Sequence, residues 1–319
     1  MKVKDKELIE EQRAAVVERI VDDMREKEFS WTQTWDRCAA PRNASTGNAY
    51  RGGNRLSLTF KALLLGYDDP RWVTFYQARE LGWRLLDDQH SYAVVEKWKP
   101  YSYGKEVEGE NDIGPEQDGP EKVEVRSGIA RVGCARVFNA AQFRNAPALE
   151  VRPATVDEDG RLADSLKASS RCPVRESLMD RVCYNPRADK IYTPLRGQYE
   201  NNGAYVIDLL HEMGHSTGHE QALGRKLCGS FGSAEYAYEE LVAELCSVFC
   251  AQDLGITAQA ARGQSFYDSH VGYLQHWMKH LADEPDELYR AAGLASKAAD
   301  YIVDRLGKKA EEAAALAVA

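Results

Sequence analysis

The chain has 319 residues, 44% hydrophobic and 29% charged, an ordinary globular balance with enough length for two domains. A net charge of −9 excludes an overall basic coat, so any nucleic-acid contact must come from a local patch. No run of about 18 apolar residues is present, which excludes a membrane-spanning helix, and the seven scattered cysteines, with no CxxC pair, fit reduced thiols in a cytoplasm.

The opening segment, up to Trp31, is charged and amphipathic. Its apolar positions are Val16, Val17, Ile20 and Val21, and it lacks the uninterrupted apolar core of a signal peptide. Next comes a basic, aromatic stretch. Between Trp35 and Arg55 stand four arginines (Arg37, Arg42, Arg51, Arg55) and one acid, Asp36, flanked by Trp31, Trp35 and Tyr50. Gly and Asn punctuate it, so it reads as loop or turn. Stacking aromatics beside a positive groove are how proteins hold single-stranded DNA. Core tryptophans beneath a solvated arginine face are the plainer alternative.

Residues Trp72 to Leu86 read as a core strand–helix unit. Residues Gly104 to Val125 are acidic and rich in Gly and Pro, and read as an exposed loop or hairpin insertion. Ordered sequence resumes at Ala135 to Phe143, anchored by Val137 and Phe138. A second Pro- and acid-rich stretch, 145–162, puts the domain boundary near residue 150.

The second half reads as helical. A short strand is expected at Asp189 to Leu195. Helical patterns follow at Ala204 to Ser216, Ala234 to Asp253, Tyr267 to His280 and Asp286 to Leu306. The Ala-rich tail reads as frayed helix or disorder. Cys246 and Cys250, one turn apart, read as small core residues.

The first of these helices contains His211-Glu212-Met213-Gly214-His215. Residues four apart share a helix face, so His211 and His215 can point two imidazoles at one ion. Glu212 stands where it can act as general base toward a water that the ion acidifies. A third ligand is expected on another element. The Ala234 to Asp253 helix supplies Glu239, Glu240 and Glu244. Glu240 is expected as the ligand and Glu244 as the carboxylate that holds a ligand histidine by its other nitrogen, with Glu239 in reserve. Zinc suits two histidines and a carboxylate, and Mn or Fe fits as well. Two histidines on an exposed helix face are the bland alternative. Gly218 precedes His219 and is expected to end the helix and turn His219 away. His276 and His280 read as packing residues. Tyr236, Tyr238, Tyr267 and His270 are all candidates to stabilise an oxyanion.

Several pieces together resemble the antirestriction protein ArdC and its plasmid and phage relatives. They are Trp31 and Trp35, Asn43 to Asn54, Trp72 to Ala78, Val137 to Gln142, His211 to His219, Tyr238 to Leu245 and Ala295 to Ile302. The resemblance spans nearly the whole chain. It implies an α+β protein with an N-terminal mixed α/β domain over residues 1–150 that binds single-stranded DNA. It implies a mainly helical, zincin-like metallopeptidase domain over residues 151–319. It further implies protection of incoming plasmid or phage DNA from host restriction during conjugation. On this reading Trp31, Trp35, Arg37, Arg42, Tyr50, Arg51 and Arg55 are the DNA contacts. Two features depart from the family pattern: Gly53 stands where relatives carry a bulkier residue, and Asp87 and Asp88 follow Trp83 where relatives show a Lys-Gly turn. Rival readings are a DNA-targeted metallopeptidase that cleaves a host restriction or DNA-bound protein, a DNA-binding shield with a structural metal, and an accessory domain of plasmid priming.

Overall fold

The computed structural model describes residues 2–26, 39–89, 91–106, 123–149, 156–227, 233–256 and 284–318. The chain opens with α1 (Val3–Glu26), whose Val16, Val17, Ile20 and Val21 are all buried. A four-stranded sheet follows, in the order β1-β2-β5-β4. Its strands are β1 (Arg42–Asn43), β2 (Arg71–Val73), β4 (Ala93–Glu106) and β5 (Val123–Asn139). β4 and β5 form a long antiparallel hairpin with a register shift at Lys97/Trp98.

Two side-chain amides cover the outer edge of β4. Gln12 of α1 bonds both ways to the Val94 backbone, and Asn54 bonds both ways to the Glu96 backbone. Unpaired strand edges invite pairing with other chains, and here helix side chains stand in for the missing strand. Between β1 and β2 runs α2 (Gly52–Leu65). α3 (Phe75–Glu80) follows β2, capped by Thr74 and Gln77 in a reciprocal capping box. A small antiparallel pair, β3 (Arg84–Leu85) and β6 (Phe143–Arg144), closes this half.

The second half holds α4 (Val156–Ser169), α5 (Asn202–Ser216), α6 (Ala234–Leu254) and α7 (Pro285–Val318). Its sheet places β9 (Lys190–Pro194) between β7 (Val174–Ser177), parallel to it, and β8 (Cys183–Asn185), antiparallel to it. The fold is thus α+β, with a mixed first half and a mainly helical second half. Among the described residues no helix is long and apolar enough to cross a membrane.

Three local expectations change. The Gly-Gly-Asn-Arg end of the basic stretch is the first turn of α2, not loop. Two glycines begin this helix because tertiary approach overrides propensity: a Cβ on Gly53 would fall on the Tyr289 ring of α7. The stretch 145–162 is only partly a linker, since α4 starts at Val156. The Ala-rich tail continues α7 to Val318, in keeping with alanine's high helix propensity. The pattern at Tyr267 to His280 lies outside the described residues.

The boundary expected near residue 150 does not divide the packing. Val16, Val17, Ile20 and Val21 of α1 and Leu56 and Phe60 of α2 belong to one core with residues of α4, α5, α6 and α7. Two small cores remain under the first sheet, one around Trp72 and Val137, the other around Trp83 and Phe143.

A candidate metal centre on two helices

Asn201 caps α5 by accepting from the Ala204 N–H at 2.8 Å, and Ser233 caps α6 by accepting from the Tyr236 N–H at 3.1 Å. The two helices approach closely at Gly214. A Cβ there would sit 3.3 Å from the Ala243 backbone and from Cys246 Cβ. The middle glycine of the His-Glu-Met-Gly-His run therefore lets α6 bring its acids against the histidines.

The result is a compact donor set. His211 Nε2 and His215 Nε2 are 3.1 Å apart. Glu240 Oε2 lies 3.4 Å from the first and 3.6 Å from the second. The three ligand atoms fall within 4.8 Å of one another. Each histidine turns its other nitrogen to a carboxylate: His211 Nδ1 to Glu244 Oε2 at 3.0 Å, His215 Nδ1 to Glu239 Oε1 at 3.5 Å. Such partners fix the tautomer that leaves Nε2 free to ligate.

Glu239, the reserve ligand of the sequence reading, is thereby placed behind His215. It also accepts two hydrogen bonds from Arg225, at 2.6 and 3.0 Å. Arg225 in turn donates to the Gly214 carbonyl and to Thr217 Oγ1, tying the end of α5 to α6. Sequence reading missed Arg225, because a lone arginine ten residues beyond His215 carries no periodic signal.

Burial alone would lower both histidine pKa values. For His211, hydrogen bonds to Glu240 and Glu244 outweigh burial and carry it well above the ordinary value. For His215 the Glu240 charge and the Glu239 hydrogen bond do the same, to about 10. Glu240 is likewise held well below the usual carboxylate range, against its burial, by the charge of His215 and the His211 hydrogen bond. A cation entering the cluster competes with protons for these two imidazoles.

Glu212 is buried beside His211, and its Oε2 accepts from the Tyr184 N–H of β8 at 2.5 Å. Its other oxygen has no hydrogen-bond partner among the described residues. A backbone N–H leaves no mark in a sequence, so this contact could not be read in advance. Behind it, Tyr184 donates to Asp189, which pairs with Arg171. His219 lies beyond the end of α5, in a turn where Nδ1 accepts from the Gln221 N–H. Burial raises the Tyr238 hydroxyl to about 12. Tyr267, His270, His276 and His280 lie outside the described residues.

The basic stretch is divided. Trp31, Trp35 and Arg37 lie outside the described residues. Arg42 is exposed. Tyr50 is half-buried, its hydroxyl accepting from Asn43. Arg51 pairs with Asp300 of α7. Arg55 is only 4% exposed and donates to Gln252 Oε1, Asp253 Oδ2 and the Phe249 carbonyl of α6. A guanidinium with its donors spent inside the protein cannot reach a phosphate, so the expectation of Arg55 as a DNA contact is corrected: it joins the two halves.

Comparison with known proteins fits this arrangement. A family model of the N-terminal domain of the anti-restriction factor ArdC matches residues 10–138, and a zincin-like metallopeptidase model matches residues 161–294. The metal-free crystal structure of the antirestriction ArdC protein from plasmid R388 superposes with a TM-score of 0.67 at 26% identity, over 93% of this chain and 98% of that one. This is an ArdC-like protein. The Mn(II)-bound structure of the same R388 protein gives a TM-score of 0.64 at 28% identity, over 92% of this chain and 97% of that one. The ArdC-like chain is also 33% identical, over 304 residues, to a DNA primase TraC of Escherichia coli, covering 93% of this chain but 27% of TraC. It thus spans about a quarter of that relative's length.

Proposed function

We propose that the chain is an antirestriction protein that binds single-stranded DNA with its first half and holds one divalent metal in its second. It protects incoming plasmid or phage DNA from host restriction. The observation that carries this reading is the likeness to the R388 antirestriction protein over both halves, 93% of this chain and 98% of that one.

The donor chemistry fits a metal. Two imidazole nitrogens and a carboxylate oxygen converge within 4.8 Å, each imidazole backed by an acid. His211, His215 and Glu240 are the ligands, and Glu244 and Glu239 orient the histidines. Zinc, manganese and iron all suit this set, and the Mn(II)-bound R388 structure favours a first trial with manganese. A bound divalent ion there supplies Lewis acidity. The residues around it do the rest. Glu212, held through one oxygen by the Tyr184 N–H, accepts a proton on the other as general base. Glu239 and Glu244 keep both imidazoles in the ligating tautomer.

This peptidase-like arrangement supports a host restriction or DNA-bound protein as the target, with the DNA-binding half delivering the site to it. The test is transfer of unmodified plasmid into a restricting recipient, with and without the chain. The proposal expects higher transfer with the chain present and fails if transfer is unchanged. Glu212→Gln separates the two roles of the metal. Lost protection supports catalysis, whereas full protection supports a DNA-binding shield with a structural ion.

A further inference from the structure

Burial along β9 separates the two faces of the second sheet. Ile191 and Thr193 are buried, so the strand turns Lys190 and Tyr192 to the other, outer face. The register carries that face across all three strands. Arg175 of β7 and Cys183 of β8 both stand opposite Tyr192, and Asn185 stands opposite Lys190. Arg181 lies on the same side: it is exposed while the next residue, Val182, is buried. Burial and the Glu212 charge raise the Cys183 thiol pKa, and the Arg181 charge opposes them, which puts Arg181 beside Cys183.

Tyr192, half-buried, is thus framed by three cations. Arg175 is one strand away, about 4.8 Å, and Lys190 is two residues along, about 6.6 Å. Arg181 lies past Cys183 on the other side. No strand position on this face is an acid. Of the acids in the same segment, Glu176 turns inward to Lys167 and Tyr205, and Asp189 pairs with Arg171. Exposed Asp180, in the β7–β8 connection, is left against the three cations. Among the described residues the side chains of Arg175, Arg181 and Lys190 have no ion-pair or hydrogen-bond partner. The face therefore keeps a positive excess on a chain whose net charge is −9. Its charge selects an anionic partner. A ring among cations selects one that also carries flat apolar faces, which a nucleic-acid strand has and an acidic peptide lacks.

We infer that single-stranded DNA crosses the outer face of the second sheet, with a base stacked on Tyr192 and phosphates against Arg175, Arg181 and Lys190. The inference rests on the single-stranded-DNA reading above and adds a contact in the metal-bearing half. β8 then carries DNA on its outer face while its Tyr184 N–H holds Glu212.

Anisotropy of a labelled oligothymidine, titrated with the full chain across a salt series, tests it. Arg175→Gln/Arg181→Gln/Lys190→Gln is expected to reduce the slope of log affinity against log salt by about 2, at about 0.7 per single-strand phosphate contact. Arg175→Lys/Arg181→Lys/Lys190→Arg is expected to keep the wild-type slope. Tyr192→Leu is expected to weaken binding about tenfold with the slope unchanged, and Tyr192→Phe to match wild type. Wild-type affinity and slope in the glutamine and leucine variants, each folded by circular dichroism, would overturn the inference while leaving DNA binding by the first half standing. Labelled polyglutamate that binds the wild-type chain and not the glutamine variant, while oligothymidine binds both alike, would assign the face to an acidic peptide and overturn it too. Failure of the wild-type chain to bind oligothymidine at all would overturn both readings.

Discussion

The Arg55 guanidinium donates to the Phe249 carbonyl at 2.7 Å and lies 4.6 Å over the Phe249 ring. This joins α2 to the last turns of α6, the helix whose earlier turns carry Glu240 and Glu244. Gln252 adds a second link, accepting from Arg55 and donating to Thr59, and Tyr289 of α7 bonds Ser57 beside Gly53. The two halves are therefore joined through buried polar contacts as well as through a shared apolar core.

Replacing Arg55 breaks that joint. Arg55→Ala strands the buried Phe249 carbonyl and the side chains of Gln252 and Asp253. The expected loss is about 3 kcal/mol, in the range for removing one partner of a buried charged pair. Urea unfolding at neutral pH measures it. An unchanged midpoint would show that Arg55 bears no such load.

Arg225 holds the site from behind. Its partner Glu239 is mostly buried against His215, and the Arg225 side chain is 7% exposed. Arg225→Ala is expected to lower metal affinity about 10–100-fold, the usual effect of losing an outer partner of a metal ligand. Competition with a chelator reads this, and Arg225→Lys should recover only part of it, because an ammonium cannot make the paired contact. Wild-type affinity in Arg225→Ala would show that Glu239 needs no clamp.

How much of this was legible beforehand follows from the kind of signal each residue leaves. The helical period placed His211 and His215 on one face, and Glu240 and Glu244 on one face of the next helix, because side-chain direction along a helix follows from spacing alone. The same logic found the buried positions of α1. It failed for Arg55, because a run of arginines between glycines does not say which guanidinium turns inward. That depends on α2 docking against α6 and α7, contacts some 200 residues away in sequence. It failed for Phe75 and Tyr76 as well. They sit in a segment whose Trp72, Val73, Ala78 and Trp83 are core, and a helix of six residues is too short for its exposed side to show as a pattern.

Acid should loosen the second half at Glu176. Burial would raise its pKa, but hydrogen bonds from Lys167 and Tyr205 hold it below the usual carboxylate value. A folded-state pKa below the unfolded one stabilises the fold above the unfolded value, about 4.3. That contribution is lost as pH falls through the folded value. Glu176→Gln should therefore cost about 1 kcal/mol at pH 7, and the cost should fade as pH drops below the unfolded value. Chemical denaturation across that range checks it, and parallel curves for variant and wild type would contradict it.

The central claim is that His211, His215 and Glu240 hold one divalent ion. Calorimetric titration of metal-stripped full-length chain with Mn(II), repeated with Glu240→Gln and Glu244→Gln, tests it most directly. The account predicts one ion per chain. It predicts that Glu244→Gln loses about 10–100-fold in affinity, as for an outer partner, and that Glu240→Gln loses more than that. No stoichiometric binding, or Glu240→Gln binding as tightly as wild type, would contradict it.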